Sequence, residues 1–510
     1  MLLVFLPPAL IVLYYLLYYY FTRTFNYWKK RNVVGPEPIA IFGNIKDSVV
    51  RQRNVAELNT ELYNMYPNEK VVGIYRMTTP CLLIRDLDII KHIMVKDFEL
   101  FKDRGIEFSN KGLGNNMFHA DGDTWAILRS RLNPIFTPGK LKNMFYLLNE
   151  RADVFIDHLD KQCRTNPEYN VNTLTQKYTI SSIFACAFGV DYDGFHSETH
   201  ETLTTLDKMI LTPSYVLELD MMYPGLLRRL NLSLFPASVT KFFQKLVSDV
   251  TAQRNGKPST RGDFMDLILS LREMKEVNHL KNKQDNENNF LEITEDIMTS
   301  QAFVFYIAGY ETSATTMSYL LYELLALHPE IQDKLKEEID NVMRAHNDEV
   351  TYESLNEMKY LQQILSETLR LHPLADPLQR KAKTNYKLPG TDIVIEKDQM
   401  LLIPVTGIHF DENYYPNPRK FDPERFSPEV VRTRHPCAYL PFGVGPRNCI
   451  GQRFAEIQTR LGVAKMISKF QVQVCKNTKA PLVDPTKVLL ESKDEICLNI
   501  APACHKLKSQ

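Results

Sequence analysis

The chain has 510 residues, which is enough for one large domain or for two to three packed ones. Its 61 Lys and Arg residues equal its 61 Asp and Glu residues, and this zero formal net charge argues against a protein that coats nucleic acid. The hydrophobic content of 44% and the charged content of 24% are those of an ordinary globular protein.

The first 22 residues carry no charge, and the basic residues Arg23, Lys29, Lys30 and Arg31 follow them. About twenty apolar residues can span a bilayer, and basic residues after the span place the remainder of the chain on the cytosolic side. A cleaved signal peptide is the alternative, but the segment lacks a basic start and a small-residue cleavage site. The sequence therefore predicts a single transmembrane anchor at residues 1–22.

Residues 23–44 combine the basic cluster with Pro36 and Pro38, and prolines push the residues before them towards extended conformations. This pattern predicts a stiff basic and proline-rich linker that precedes a folded body at residues 45–510. At the start of that body, Glu69–Asp86 has two β-rich runs on either side of a Thr-Thr-Pro sequence, which predicts a hairpin with its turn there.

From about Asp88 to Gln379, apolar residues recur at three- and four-residue spacing, which indicates helices. The polar stretch Arg272–Asn289 predicts a mobile surface loop, and Ile293–Leu327 is apolar nearly all round, which predicts a buried central helix. Short strands are predicted at Tyr386–Ile395, at Met400–Ile403 and in a hairpin within Pro481–Ile500. The fold class is therefore mainly α with small β-sheets.

The stretch PFGVGPRNCIGQRF places Cys449 among glycines and arginines, before a helical run. A nucleophilic cysteine usually needs a nearby base and a redox cysteine a second thiol, but the local sequence supplies neither. A thiolate at a helix start is stabilised by the helix amides, and Arg447 can bind a carboxylate. The pattern favours a haem with a proximal cysteine, and the alternative is a glycine-rich turn with a buried cysteine.

The sequence Ala308-Gly309-Tyr310-Glu311-Thr312 lies in the middle of the predicted central helix. Small residues followed by an acid and a hydroxyl would open a groove for a diatomic ligand beside a proton source. The alternative is a core Glu satisfied by hydrogen bonds, with a Thr that bonds back along its own helix.

Two further patterns carry paired polar residues. Glu367 and Arg370 share a helix face, and Arg425 in the sequence FDPERF could complete a buried network with them. Trp125 and Arg129 also lie one helical turn apart and could together bind a carboxylate. Taken singly, the first pattern also fits an ordinary surface pair, and the second also fits a half-buried Trp beside a solvated Arg.

Together these patterns resemble the cytochrome P450 superfamily, in the right order and at the right separations. The haem-cysteine signature, the A-G-x-E-T motif, E-x-x-R and P-E-R-F are all complete. The sequences FTRTFNYWKKRNV and FHADGDTW further resemble microsomal insect enzymes of the xenobiotic-metabolising clan, and most of all the lepidopteran members of family six.

The resemblance implies a P450 fold with haem b between the central helix and the cysteine loop, and it implies that Cys449 is the axial ligand of the iron. Further haem-binding residues would be Trp125, Arg129, Arg380, Arg447, Phe442, Gly443 and Ala308. Thr312 and Glu311 would relay protons, and Glu367, Arg370 and Arg425 would be structural. Substrate contacts are expected from Phe118, His119, Phe305, Ala308, Leu374, Leu378 and Val488, together with the segment 212–223.

The implied reaction is the insertion of one oxygen atom from O2 into lipophilic molecules, such as plant furanocoumarins or pyrethroid insecticides. Electrons would come from NADPH through NADPH–cytochrome P450 reductase, with cytochrome b5 as a further partner, at the endoplasmic reticulum membrane. The reductase would dock on a basic face formed by Arg129, Arg131, Lys140, Lys142, Arg447 and Arg453. The alternatives are an endogenous hormone or lipid hydroxylase, a haem-thiolate isomerase or dehydratase, and a catalytically idle haem protein.

Overall fold

The computed structural model describes residues 2–106, 112–192, 194–195, 199–211, 215–223, 225–233, 235–270, 272 and 294–503. Most of the predicted loop at 272–289 and residues 212–214 of the predicted substrate segment lie outside these residues. The α-helices are Leu2–Thr22, Lys46–Val49, Val55–Met65, Leu87–Lys91, Gly122–Leu132, Pro138–Gln162, Val171–Ile183, Thr199–Leu211, Val216–Met222, Leu226–Arg229, Ala237–Gln253, Glu295–Leu320, Pro329–Ala345, Tyr352–Glu357, Lys359–Leu371, Val405–His409, Pro428–Thr433 and Gln452–Lys469.

Three small sheets accompany the helices. The strands are β1 (Val71–Arg76), β2 (Thr79–Ile84), β3 (Glu168–Asn170), β4 (Leu378–Lys381), β5 (Tyr386–Lys387), β6 (Val394–Ile395), β7 (Met400–Ile403), β8 (Phe470–Val474) and β9 (Cys497–Pro502). The largest sheet has the order β1-β2-β7-β4, the second has the order β3-β9-β8, and β5 pairs with β6. The prediction of a mainly helical fold with small sheets is therefore confirmed.

Two details of the predicted strands were wrong. The first hairpin turns at Met77 and Thr78, whereas Pro80 belongs to β2. Pro80 is tolerated there because β2 pairs with β7 only from Cys81 onwards, so its missing N–H costs no bond to that strand. The predicted hairpin in the tail is shorter than Pro481–Ile500: Val483 and Ser492 form one antiparallel bridge, flanked by bonds from the Asp484 amide to Glu491 and from the Lys493 amide to Leu482, while β9 pairs with β3 and β8.

The central helix, Glu295–Leu320, is buried along most of its length, as its uniformly apolar sequence predicts. It begins at Thr294, whose side chain accepts a hydrogen bond from the Ile297 amide at 3.3 Å. The helix packs most extensively against Val171–Ile183 and also contacts Gln452–Lys469. This last contact includes Met317 and Gly462, so the C-terminal part of the central helix lies beside the helix that follows Cys449.

The predicted linker packs partly against the body of the protein. Trp28 is buried, and its indole nitrogen donates to the Ile74 carbonyl at 2.9 Å. The Trp28 ring lies so close to β1 that a Cβ on Gly73 would lie 2.5 Å from it. Within the described part of the chain, none of the helices combines the length and the apolar character needed to cross a membrane.

Candidate functional site

The loop before Gln452–Lys469 holds Cys449 in a fixed position. The Cys449 amide donates to the Phe442 carbonyl at 2.8 Å. Gly443 and Gly445 have φ values of 69° and 79°, in the left-handed region. A Cβ on Gly445 would also lie 1.9 Å from the Met94 carbonyl oxygen, so a glycine is required there. The loop therefore reverses tightly and presents the cysteine just before the helix.

Cys449 differs from the other cysteines that the structure describes. Cys81, Cys163, Cys186 and Cys437 are buried, and the described cysteines form no disulfide, whereas Cys449 is exposed. Its surroundings are nevertheless dense: burial raises the pKa of the thiol, while the Gly451 amide and Arg129 act in the opposite direction. Cys449 therefore has exposed surface although protein groups surround its thiol, and a metal ion bound to the sulfur would hold it as a thiolate.

The buried middle of the central helix has an exposed patch at Ala308 and Thr312, which is called the open spot. Ala308 is exposed and Thr312 is half-buried, whereas Tyr310 and Glu311 are buried. Gly309 does not contribute to this opening, as a Cβ there would lie 2.4 Å from Ile183 Cδ1. The glycine instead allows the neighbouring helix to approach closely, which corrects the expectation that it opens a ligand groove.

Glu311 and Thr312 both have partners within the protein. Glu311 accepts bonds from the Gln176 side-chain amide at 3.1 and 3.2 Å, and burial raises the pKa of its carboxyl. The Thr312 hydroxyl donates to the Ala308 carbonyl at 2.6 Å. This is the geometry of the alternative interpretation of the motif, a satisfied acid and a threonine that bonds back along its helix. Thr312 borders the open spot, whereas the neighbouring Glu311 is buried and bonded to Gln176.

Three guanidinium groups lie close together near the cysteine loop. Burial, followed by the charge of Arg447, lowers the pKa of Arg380 to about 9. The pKa of Arg104 is also lowered, first by burial and then by the charges of Arg447 and Arg380. A single carboxylate, Asp121, accepts from Arg447 at 2.9 Å. The Nε atoms of Arg380 and Arg447 are buried without a hydrogen-bond partner. Since three mutually repelling cations face Asp121, and Asp103 is the only other carboxylate of the described residues that acts on Arg447, the cluster fits an additional anionic group, such as the propionates of haem.

Arg129 and Trp125 project from the helix Gly122–Leu132 towards the cysteine loop. Both terminal nitrogens of Arg129 donate to Asn448 at 2.8 Å, one to its carbonyl and one to its side chain. Trp125 is buried, with its ring 5.0 Å from the guanidinium carbon of Arg447. These two residues therefore brace the loop as well as bordering the cationic cluster.

Arg447 cannot contribute to a docking face, which corrects the prediction that it does. The side chain is buried, and its terminal nitrogens donate to the carbonyls of Lys102 and Ala120 as well as to Asp121. Three acceptors on two segments draw this guanidinium inwards. Of the other predicted basic residues, Lys140, Lys142 and Arg453 are exposed, Arg131 and Arg129 are half-buried, and Lys142 forms an ion pair with Glu353.

The predicted substrate residues fall into three groups. Phe118 and His119 adjoin the cationic cluster: Arg104 covers the Phe118 ring at 4.2 Å, and burial followed by Arg104 lowers the pKa of His119 to about 3. Leu378 lies beside the loop, with its Cδ1 3.8 Å from where a Gly443 Cβ would be.

The second group, Leu374 and Val488, is bound to neighbouring segments. The Leu374 carbonyl accepts from the Leu490 amide at 3.1 Å, and the Val488 amide donates to the Leu211 carbonyl at 3.3 Å. Phe305 forms the third group, because its ring packs against Phe264 and Phe136 at 4.0 and 5.6 Å. It is thus engaged by other core aromatics.

The predicted structural residues lie together in the core. Arg370 forms a bidentate pair with Glu367 at 2.7 and 2.8 Å, and both side chains are fully buried. Arg425 lies 3.5 Å from the same carboxylate, and the Asp422 amide donates to it at 2.9 Å. The network fixes the end of the helix Lys359–Leu371 against the segment before the cysteine loop.

Sequence reasoning missed Arg104 and Asn448. The sequence around Arg104, KDRG, matches none of the motifs, and the position of Arg104 depends on its bonds to Asp121 and to the Phe118 carbonyl.

No group of three or more His, Cys, Asp or Glu side chains in the described ranges could hold a metal ion. A cofactor that supplies most of the metal's ligands itself and needs one cysteine fits this residue set.

Comparison with known proteins agrees with the motifs. Residues 33–498 match the family model for cytochrome P450. The chain is 59% identical to cytochrome P450 6B2 of Helicoverpa armigera, over 98% of this chain and 99% of that protein. It is 52% identical to cytochrome P450 6B1 of Papilio polyxenes, over 94% of this chain and 96% of that protein. It is 38% identical to cytochrome P450 6a2 of Drosophila melanogaster, again over 94% of this chain and 96% of that protein.

Proposed function

The chain belongs to the cytochrome P450 family of monooxygenases, and from this premise we propose that it inserts one oxygen atom from O2 into lipophilic small molecules of plant or insecticide origin. The observation that carries the proposal is that Cys449 on the loop and Ala308 on the central helix are both exposed although their neighbours along the chain are mostly buried or half-buried. Furanocoumarins and pyrethroids are the proposed substrates, because the lepidopteran resemblance suggests them.

Haem would be held by Cys449 as the protein ligand of its iron and by the cationic cluster through its propionates. Arg104, Arg380 and Arg447 carry the charge that two propionates would neutralise, and Arg129 fixes the loop through Asn448. When bound, the haem supplies the dioxygen chemistry, with the thiolate donating electron density to the iron. Phe442 and Gly443 shape the loop, and the small side chain of the exposed Ala308 would leave space for a ligand on the central helix.

Thr312 is the proposed residue that donates a proton into this space. Its hydroxyl is bound to Ala308 and can rotate, because a threonine hydroxyl both donates and accepts. Glu311 is proposed to resupply the proton, and its raised pKa favours the protonated form that this role needs.

The substrate is proposed to contact Phe118, His119, Leu374, Leu378 and Val488. A low pKa keeps His119 neutral, so it adds no charge to a pocket suited to apolar molecules. NADPH–cytochrome P450 reductase is proposed to dock over the exposed Lys140 and Arg453, with cytochrome b5 as a second partner.

We further propose an endoplasmic reticulum location, with residues 1–22 as the anchor and the body in the cytosol. The uncharged segment and the basic residues after it support this. Next to the anchor, the Tyr20 ring stacks on Tyr223 at 5.2 Å, and Tyr215 and Leu219 are exposed nearby in sequence.

The test is product analysis with purified holoenzyme, reductase and NADPH on a panel of furanocoumarins, pyrethroids and hormone-like lipids. Oxygenated products from the toxins support the proposal. Turnover without NADPH would instead indicate an isomerase or dehydratase, and turnover of a single endogenous lipid would indicate a hormone hydroxylase.

A further inference from the structure

Three buried carboxyl side chains surround one lysine above the central helix. Asp207 lies on Thr199–Leu211, Glu311 on the central helix and Glu491 on the segment before β9, and each is less than a tenth exposed. The Lys487 ammonium is 3.6 Å from Glu491, and its charge also acts on Asp207 and Glu311. One half-buried cation cannot balance three carboxylates, so the cluster retains protons near neutral pH.

One hydrogen bond and one unpaired phenol lie between the inner members of the cluster. The Tyr306 hydroxyl donates to Asp207 at 3.1 Å. The Tyr310 hydroxyl is buried and approaches both Asp207 and Glu311 without a well-formed bond to either. Two acids thus flank one phenol that can turn towards either of them.

Glu491 and Lys487 form the outer side of the cluster. The Lys487 side chain is 23% exposed and that of Glu491 is 11% exposed, so solvent reaches this side. The Glu491 Oε1 atom is buried with no hydrogen-bond partner. Burial, followed by the charge of Glu311, raises the pKa of Glu491 to about 8, and burial raises that of Asp207 to about 7. The remaining ionisable neighbours of Glu491 are Asp484 and Tyr319.

The segment that carries Glu491 is fixed on both sides. Val488 is bound to Leu211 at the end of the helix that carries Asp207, and Leu490 is bound to Leu374 and to the Tyr319 hydroxyl. These bonds hold the segment of Glu491 against the helix that carries Asp207 and, through Tyr319, against the central helix that carries Glu311, the chain neighbour of Thr312.

We propose that Glu491 is the acid through which solvent protons reach Glu311, and that Lys487 is a positioning residue that holds Glu491 at this entry. This deepens the proposed function and rests on it. A proton from solvent binds the Glu491 carboxylate and passes to the Glu311 carboxylate as Glu311 gives its own proton towards Thr312. Glu491 is then reprotonated from solvent, and no electrons move.

The experiment compares Glu491→Gln with Glu495→Gln, an exposed glutamate four residues later, in the holoenzyme with reductase. For Glu491→Gln we expect a several-fold rise in peroxide formed per NADPH and a larger solvent deuterium isotope effect on product formation. The substrate-induced spectral shift should not change. For Glu495→Gln all three quantities should match the wild type. Lys487→Met should also raise peroxide formation, and it serves as the second variant if Glu491→Gln fails to fold.

The melting temperature, measured at several pH values from about 5 to about 8, tests the role of Glu491 without turnover. Because the folded-state pKa of Glu491 is raised, its contribution to stability falls as pH rises through this range, and Glu491→Gln should show a shallower fall.

Unchanged coupling and isotope effect in both cluster variants would overturn the entry route. If Thr312→Ala still diverts electrons in that case, the proposed function stands; if it does not, the relay itself is wrong.

Discussion

Arg129 donates both of its terminal nitrogens to Asn448, the residue immediately before the cysteine of the loop. The two bonds join the helix Gly122–Leu132 to a segment more than 300 residues later, at a point where no secondary structure holds the backbone. The position of Cys449 therefore depends on a side chain that the motif itself does not contain.

Arg129→Ala should loosen this loop. The loss of two charge-assisted hydrogen bonds costs about 2 kcal/mol of folding free energy, and we expect weaker haem retention, seen as a lower Soret absorbance per protein after gel filtration. Arg453→Ala removes an exposed arginine of the following helix and should leave haem content unchanged. Equal haem content in both variants would contradict the bracing role.

Cys449→Ser tests the axial ligand directly. A thiolate ligand gives the ferrous carbonyl complex a red-shifted Soret band, and a serine hydroxyl is not a thiolate. We expect the band to lose this shift in Cys449→Ser. Cys437→Ser, a substitution at a buried cysteine of the same region, should keep it. Persistence of the shifted band in folded Cys449→Ser would refute the assignment.

Gly445→Ala should prevent the loop from closing. The left-handed φ of 79° disfavours an L side chain, and the new Cβ would lie 1.9 Å from the Met94 carbonyl oxygen. We expect a loss of about 3 kcal/mol or more in the free energy of unfolding. Gly139→Ala lies in a helical first turn with no neighbour within 4 Å and should change stability by about 0.5 kcal/mol or less. Urea unfolding of both variants measures the difference.

His409 gives the fold a defined pH dependence. Its ring is fully buried between the Arg370 carbonyl at 3.0 Å and the Leu440 amide at 2.9 Å, so one nitrogen donates and the other accepts. Burial lowers the pKa of His409 to about 3, from 6.5. The folded state then binds fewer protons than the unfolded state, and this contribution to stability is complete above pH 6.5 and is lost as pH falls towards 3.

The substitution His409→Gln separates the pH dependence of stability that comes from His409 from the pH dependence that comes from the buried carboxyl groups. His409→Gln should be less stable than the wild type at neutral pH, and the gap should narrow as pH falls below about 6.5. Urea unfolding at several pH values measures it. A gap that stays constant with pH would show that His409 does not carry the dependence.

The sequence predicted the parts of the site that rest on local pattern. The cysteine loop, the central helix and the Glu367–Arg370 pair are each encoded within a few residues, and the structure brings Arg425 to that pair as well. Features that depend on distant packing were missed or misplaced. Arg104 joins the cationic cluster only through Asp121 and Phe118, Arg447 turns inwards to reach Lys102 and Ala120, and Gly309 serves a helix contact with Ile183. Spacing along the chain carries no information on such partners.

Thr312→Ala tests whether the central helix delivers protons. The Thr312 hydroxyl donates to Ala308 and borders the open spot, so its removal leaves the helix backbone intact but deletes the donor. We expect NADPH consumption to continue while product falls and peroxide rises several-fold. Thr312→Ser keeps the hydroxyl and should restore most of the coupling, which a purely structural role of the threonine methyl would not allow. Unchanged coupling in Thr312→Ala would mean that the bond back to Ala308 is the whole role of this hydroxyl.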